Sequence, residues 1–212
     1  MESLDSAQIR VLGCLLEKQQ TTPDAYPLTL NSLRLACNQS TSRDPVVDYD
    51  ETTVRTAVQR LGQRGWARMT SYHGSRSAKY RHLLDEALGL APDERALLCV
   101  LMLRGPQTLG ELKQHSERLH TFADLRSVEE TLDRLSGREL GRWLERRPGQ
   151  KEARYGHLLE GEEIPPSAEP VAHDLSSREP VGDDLAGEVT RLRNDLKSLR
   201  QEVAALRAEL GS

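Results

Sequence analysis

The chain has 212 residues, of which 37% are hydrophobic and only 4% aromatic, and carries a formal net charge of −4 at pH 7. At this length one or two domains fit, their cores must be aliphatic, and a large enzyme pocket lined with aromatics is excluded. Three cysteines (Cys14, Cys37 and Cys99) without C-x-x-C spacing read as buried, reduced thiols in a cytoplasmic protein, with neither a basic-then-apolar leader nor a membrane-length apolar run.

Residues 5–19 read as a helix, with Asp5 as N-cap and Ile9, Leu12, Leu15 and Leu16 on one face. The run Thr21-Thr22-Pro23-Asp24-Ala25-Tyr26-Pro27 breaks it. A second helix carries Leu30, Leu33 and Cys37 inward, and a polar loop with Pro45 follows from Asn38 to Asp50. A third helix starts near Asp50, buries Val54, Val58 and Leu61, and is ended by Gly62 and Gly65. Trp66–Thr70 is a strand candidate, His73-Gly74-Ser75 a turn, and Ala78–Leu83 the returning strand.

The same plan then recurs. Asp93–Leu103 is helical until Gly105-Pro106, Leu109–His115 forms a short second helix, and Ser127-Val128-Glu129-Glu130 reads as a capping-box start for a third. Trp143–Arg147, a Pro148-Gly149 turn and Ala153–Leu159 complete the hairpin. Three landmarks carry the repeat. Lys79-Tyr80-Arg81-His82-Leu83-Leu84 returns as Arg154-Tyr155-Gly156-His157-Leu158-Leu159, Val54/Val58/Leu61 as Val128/Leu132/Leu135, and Leu30/Leu33 as Leu109/Leu112. A near-constant offset of this kind means one helix-helix-helix-hairpin unit laid down twice. The fold expected is mainly α with small β-wings: two tandem winged helix-turn-helix domains (1–86 and 87–160), a flexible linker (161–184) and a C-terminal coiled coil (185–211).

Charge separates the two copies. Residues 1–84 hold 11 Lys/Arg against 8 Asp/Glu, residues 85–159 hold 12 against 13, and residues 160–212 hold 6 against 12. The first copy alone has a mild electrostatic case for a polyanion, and any affinity would be salt-dependent. Its third helix would present Thr52, Arg55, Thr56, Gln59 and Gln63 outward, and Arg and Gln are the side chains that pair with guanine and adenine edges. Arg76, Lys79 and Arg81 on the wing would meet phosphates, which position a protein without specifying sequence. The bland alternative is an ordinary solvated helix face. Two features favour it: the Asn38–Asp50 connection far exceeds the ~3–4 residues of a typical helix-turn-helix, and the matching helix of the second copy exposes Glu129, Glu130 and Asp133, which repel phosphate.

In the tail, Leu185, Val189, Leu192, Leu196, Leu199, Val203, Leu206 and Leu210 alternate steps of four and three, a heptad seam. Glu188, Asp195, Glu202 and Glu209 take g positions, and Arg193, Arg200 and Arg207 take e positions. A parallel homodimer sets each acid against a base, whereas an antiparallel one sets like against like. The pattern therefore specifies a parallel homodimer, with a trimer as the lesser alternative and an amphipathic helix folded back on its own domains as the bland one.

The histidines (His73, His82, His115, His120, His157 and His173) show no zinc-ligand spacing, and no P-loop, nucleophile elbow or dinucleotide fingerprint appears. His82 and His157 follow the wing tyrosines in both copies, which points to a shared packing need such as a strand-end hydrogen bond. No catalytic residue, metal site or cofactor is expected. The loop Asn38–Val46 is either a surface for a partner or a connection braced by Asn38 and Asp44, the second being the simpler reading.

These residues resemble the YceH-like family of bacterial proteins, built from two winged-helix domains and of unknown function. The likeness runs through Glu17-Lys18, Thr21-Thr22-Pro23-Asp24, Tyr26-Pro27-Leu28-Thr29-Leu30-Asn31, Ala36-Cys37-Asn38-Gln39, Arg43-Asp44-Pro45-Val46 and Lys79-Tyr80-Arg81-His82. It continues through Arg104-Gly105-Pro106-Gln107-Thr108, Gly110-Glu111-Leu112, Arg118-Leu119-His120 and Arg154-Tyr155, covering about residues 4–160. The chain departs from the family pattern at Ser40, where a Lys is expected, and at Ala78, where a Pro is expected. The resemblance implies the fold, and a DNA-related role more weakly. Two functions follow as expectations: a regulator-like homodimer binding double-stranded DNA through its first domain, or an adaptor holding a protein partner, like the tandem winged-helix subunits of condensin-type complexes.

Overall fold

A computed structural model of the protein describes residues 3–70, 77–146 and 152–160, which are mainly helical with two small antiparallel sheets. Helix α1 (Ser6–Thr21) opens with a capping box, the Asp5 carboxylate accepting from the Gln8 amide at 2.8 Å while the Gln8 side chain accepts from the Asp5 amide. A single 3-10 turn, Pro23–Ala25, then leads to the two-residue strand β1 (Leu28–Thr29). Thr29 caps α2 (Leu30–Cys37), and Asp50 caps α3 (Glu51–Gln63). Strands β2 (Ala67–Thr70) and β3 (Lys79–His82) follow, with β3 central between β1 and β2.

The second copy is α5 (Pro92–Arg104), α6 (Leu109–Ser116), α7 (Leu125–Gly137), β4 (Gly141–Leu144) and β5 (Arg154–His157). The strand β1 has a remnant there. Gln107 bridges to Tyr155 as Leu28 pairs with Tyr80, so the three-stranded sheet of the first copy is reduced to a hairpin plus one bridge. This winged-helix-like arrangement keeps both turns after the third helices left-handed: φ is +79° at Gly65 and +56° at Glu139.

Several expectations shift. Helix α7 begins a turn earlier than Ser127. Its N-cap is Asp124, and Ser127 is the reciprocal partner inside the capping box. Leu30 is half-buried rather than fully inward, because as the first residue of α2 it lies at the rim of the core. The first strand of the second hairpin, Gly141–Leu144, begins two residues before the expected Trp143, and the second, Arg154–His157, lies within Ala153–Leu159. Between the copies lies an unforeseen short helix, α4 (Leu84–Leu88), closed by Gly89 at φ +58°. Arg76, the turns at 73–75 and 148–149, the 161–184 linker and the 185–211 coiled-coil segment lie outside the described residues.

The two copies share one core. Every residue of α5 from Ala96 to Leu103 is buried, so this helix is apolar all round and acts as the central element. It crosses α1 at Gly13, whose carbonyl accepts from the Cys99 thiol at 3.4 Å. Backbone bonds from Leu4 to Leu159 (2.8 Å) and from Asp44 to Leu103 (2.9 Å) stitch the copies further. Cys14, Cys37 and Cys99 are all buried and free. Among the described residues no helix is long and apolar enough to cross a membrane.

Candidate nucleic-acid interface

Helix α3 turns Val54, Ala57, Val58 and Leu61 into the core and leaves Thr52, Arg55, Thr56, Gln59 and Gln63 exposed. Its start is fixed by Asp50, whose carboxyl is held below the ordinary carboxylate range by the Thr53 amide and hydroxyl. Arg55 reaches back one turn to Glu51 in an exposed i,i+4 pair. Such a pair contributes under about 1 kcal/mol, so it orients the guanidinium without committing it.

On the hairpin, register decides which side chains share a face. Arg68 stands opposite Arg81, and Thr70 opposite Lys79. Ala67 and His82, the alternate pair, are buried, so Arg68, Lys79 and Arg81 lie on the outer face. Arg68 is a cation that the sequence reading passed over; strand alternation alone would have placed it beside Arg81 once the register was known. Arg81 also pairs with Glu86 of α4 at 2.9 Å, which tempers its charge. Arg76, the remaining wing residue singled out from sequence, lies outside the described residues.

The second copy presents a different surface. Helix α7 exposes Glu129, Glu130 and Asp133, and only Arg126 among its cations answers them. Arg126 pairs with Glu130 at 3.0 Å, Arg134 with Asp93, and Arg138 with Glu94 at 2.8 Å. The acidic first turn of α5, whose carboxylates suit a helix N-terminus, thus draws in Arg134 and Arg138.

The Asn38–Asp50 loop owes its shape to two buried arginines. The Arg43 side chain is fully buried and forks onto Glu17 at 3.1 and 2.6 Å, with further bonds to the Ala36 carbonyl at 3.0 Å and Gln39 Oε1 at 2.9 Å. Burial opposes the charge on Glu17, but the Arg43 guanidinium and Lys18 prevail and hold its pKa below the usual range. Arg10 donates to the Cys37 carbonyl at 3.1 Å and the Pro45 carbonyl at 2.6 Å. Asn38 braces the loop as expected, accepting from the Tyr49 amide and donating to its carbonyl, each at 2.9 Å. The second brace is Arg43 rather than Asp44, which contributes its backbone amide to Leu103.

The duplicated histidines have diverged. His82 Nδ1 accepts from the Leu84 amide at 3.3 Å and Nε2 meets Gln19 Oε1 at 2.6 Å, so the ring is neutral with its proton on Nε2. His157 Nδ1 is buried with no hydrogen-bond partner among the described residues. A strand-end hydrogen bond therefore explains the first copy and not the second. Among the described residues no group of three His, Cys, Asp or Glu is placed to hold a metal ion.

Comparison with known proteins matches residues 4–150 to the family described as "Protein of unknown function, DUF480". The chain is 49% identical over 208 residues to a UPF0502 protein of Pelobacter propionicus, covering 96% of this chain and 93% of that protein. It is 47% identical to one from Geotalea uraniireducens, over 90% of each chain. It is also 40% identical to the UPF0502 protein YceH of Escherichia fergusonii, with 98% of both chains covered.

Proposed function

The chain belongs to the DUF480 family, the UPF0502 proteins including YceH, and for this member we propose a non-enzymatic, cytoplasmic, tandem winged-helix protein that binds double-stranded DNA as a homodimer. The first copy is the reader. Arg55, Gln59 and Gln63, flanked by Thr52 and Thr56, meet base edges, while Arg68, Lys79 and Arg81, joined by Arg76, meet phosphate. The observation that carries this reading is the contrast between equivalent helices: α3 frees a polar face of forked side chains, whereas α7 frees an acidic one. The heptad seam at Leu185, Val189, Leu192, Leu196, Leu199, Val203, Leu206 and Leu210 supports a parallel coiled-coil pair, which doubles the weak contribution of each reader.

Affinity per protomer is modest. Of the basic residues that give the first copy its slight excess, Arg10 and Arg43 are buried against carbonyls and Glu17, and cannot meet phosphate. Anisotropy of fluorescent random duplex DNA across a salt series tests the reading, with a truncation ending at Glu160 alongside the full chain. Binding that falls with salt, with a log–log slope of about −0.9 per phosphate contact, and that weakens on truncation is expected. Absence of binding at low salt overturns it.

A second reading, an adaptor that grips a protein partner, has its own observation. The second copy exposes Leu125 on the acidic helix α7 and Trp143 on β4, a mixture better suited to a protein than to phosphate. A stoichiometric partner co-purifying with the full chain, together with no salt-sensitive DNA retention, is the result that selects it.

A further inference from the structure

Where α1 of the first copy meets α5 and α6 of the second lies a cleft of about 390 Å³, the open solvent at its mouth included. Its floor is apolar, made by Cys99, Val100 and Leu103 of α5 with Leu119 beyond α6. Its rim is polar and carries Arg104, Arg118 and His115 from the second copy against Glu17, Thr21 and Ser42 from the first. We propose that this cleft binds a small organic anion, a carboxylate with a short apolar body, with Arg104 and Arg118 as its counter-charges and the Val100–Leu103–Leu119 floor as its apolar seat.

The charge balance favours an anion. Glu17 is the acid at the rim, and it is neutralised from behind by the Arg43 fork and by Lys18 at 3.2 Å. Arg104 donates to the Ser42 hydroxyl at 2.9 Å and has no carboxylate partner among the described residues. Arg118 is exposed and likewise has none there. Two guanidiniums at one concave site, neither paired with a carboxylate among the described residues, offer the planar forked donors that a carboxylate accepts.

His115 completes the polar side. Gln107 donates its amide hydrogens to the carbonyls of Arg104 (3.3 Å) and Pro106 (3.1 Å), so its oxygen faces the imidazole. That oxygen accepts from His115 Nδ1 at 2.8 Å, which leaves Nε2 as the ring nitrogen open to a ligand. Burial and then the charge on Arg104 depress the His115 pKa; the opposing Glu111 is bonded to Arg154.

The floor decides between anions. Inorganic phosphate would satisfy the guanidiniums but cover none of the apolar floor, whose exposed part is Leu119 over the buried Val100 and Leu103, whereas an alkyl carboxylate covers it at about 25 cal/mol per Å² of apolar area. The site is concave and lies at the seam of the copies, and its assignment depends on neither α3 nor the wing. Ser42 lines it with φ +59°, a left-handed conformation imposed where Arg43 grips the Ser42 carbonyl at 2.9 Å.

The test uses the full chain labelled with nitrogen-15, titrated with hexanoate, hexanamide and inorganic phosphate while the arginine Nε–Hε resonances are followed. Saturable shifts of the Arg104 and Arg118 signals with hexanoate are expected, at least about tenfold weaker with the other two probes. Arg118→Gln, an exposed change that leaves the thermal midpoint of the free protein in place, should weaken hexanoate at least about fivefold. Arg104→Gln should do the same, and if its lost bond to Ser42 unfolds the protein, Arg118→Gln decides alone. No saturable shift, an equal response to phosphate, or undiminished binding by Arg118→Gln overturns the proposal. The DNA reading is unaffected by any of these outcomes.

Discussion

Gly13 and Leu103 meet where α1 crosses α5, so closely that a β-carbon on Gly13 would stand 2.9 Å from Leu103 Cδ2 and 3.2 Å from Met102 Cβ. The glycine lets the first helices of the two copies approach and bury one apolar surface. Alanine is favoured over glycine inside a helix by about 1 kcal/mol, but overpacking a core costs about 1–3 kcal/mol. Gly13→Ala is therefore expected to be destabilising on balance, and Gly13→Val more so. Gly110→Ala, where an added β-carbon meets nothing within 4 Å, should gain up to about 1 kcal/mol. Urea midpoints of the three variants check this. A Gly13→Ala protein as stable as Gly110→Ala would mean that the crossing is looser than described.

The second hairpin carries a comparable constraint with a different origin. Tyr155 is fully buried, its hydroxyl donating to the Leu132 carbonyl at 2.9 Å and bonded to Ser136 Oγ at 2.9 Å. Its ring lies so close to Gly141 that a β-carbon there would collide with Cε1 and sit 2.9 Å from the Gly156 carbonyl. The first copy has Ala67 at that position, opposite His82, and a half-buried Tyr80 in the place of Tyr155. Gly141→Ala should cost about 2 kcal/mol, and much less in a Tyr155→Leu background. A double-mutant cycle measures the coupling; additive losses would show that the ring is not what excludes the methyl group.

The Arg43–Glu17 pair makes the third prediction. Arg43 has no exposed side-chain surface and bonds a carboxylate, two carbonyls and an amide oxygen at once. Removing one partner of a buried pair strands the other, at a typical cost of about 3–5 kcal/mol. Arg43→Met is expected to lose about that much, and Arg43→Lys to recover little of it, because an ammonium cannot reproduce the fork. Arg43→Met combined with Glu17→Leu should lose less than the sum of the two. The loop reports the damage locally, with faster hydrogen exchange at the Asp44 and Tyr49 amides. Unchanged exchange there, in a destabilised protein, would mean that Arg43 does not shape the loop.

How much of this was legible in the sequence depends on the signal each residue sends. Helix starts at Asp5 and Asp50 and the buried Val54/Val58/Leu61 stripe follow from capping chemistry and 3.6-residue periodicity, and the structure has them. The Ser127 start failed by one turn because a capping box has two reciprocal polar residues, and Asp124 was the outer one. Helix α4 is five residues long, too short to show a period, yet it brings Glu86 to Arg81 and changes the reading of the wing. Arg10 and Arg43 were the least legible. Arginine reads as surface in any composition count, and nothing local announces that carbonyls from Ala36, Cys37 and Pro45 will converge on them. The seam cleft was invisible for a similar reason: its walls come from residues 17 and 118, joined by tertiary packing alone.

Acid sensitivity follows from His82. Burial above all, with Arg95 and Arg81 adding to it against Asp85 and Glu86, lowers its pKa from 6.5 to about 4. The folded state thus holds the ring neutral at pH values where the unfolded chain protonates it. The stability so gained is complete above about pH 6.5 and is lost as pH falls towards 4, since the unfolded chain binds the extra proton across that window. At 1.36 kcal/mol per pKa unit the loss amounts to about 3 kcal/mol. His157, lowered to about 4 by burial, adds to the same slope. Glu17 and Asp93, whose pKa values are lowered, contribute below the ordinary carboxylate range, so from pH 6.5 to about 5 the histidines are opposed only by Glu160, whose pKa burial raises. Urea unfolding at a series of pH values should show stability falling through that interval, and falling less in His82→Gln, which keeps an amide to face Gln19. A slope identical in the two proteins would place the proton uptake elsewhere.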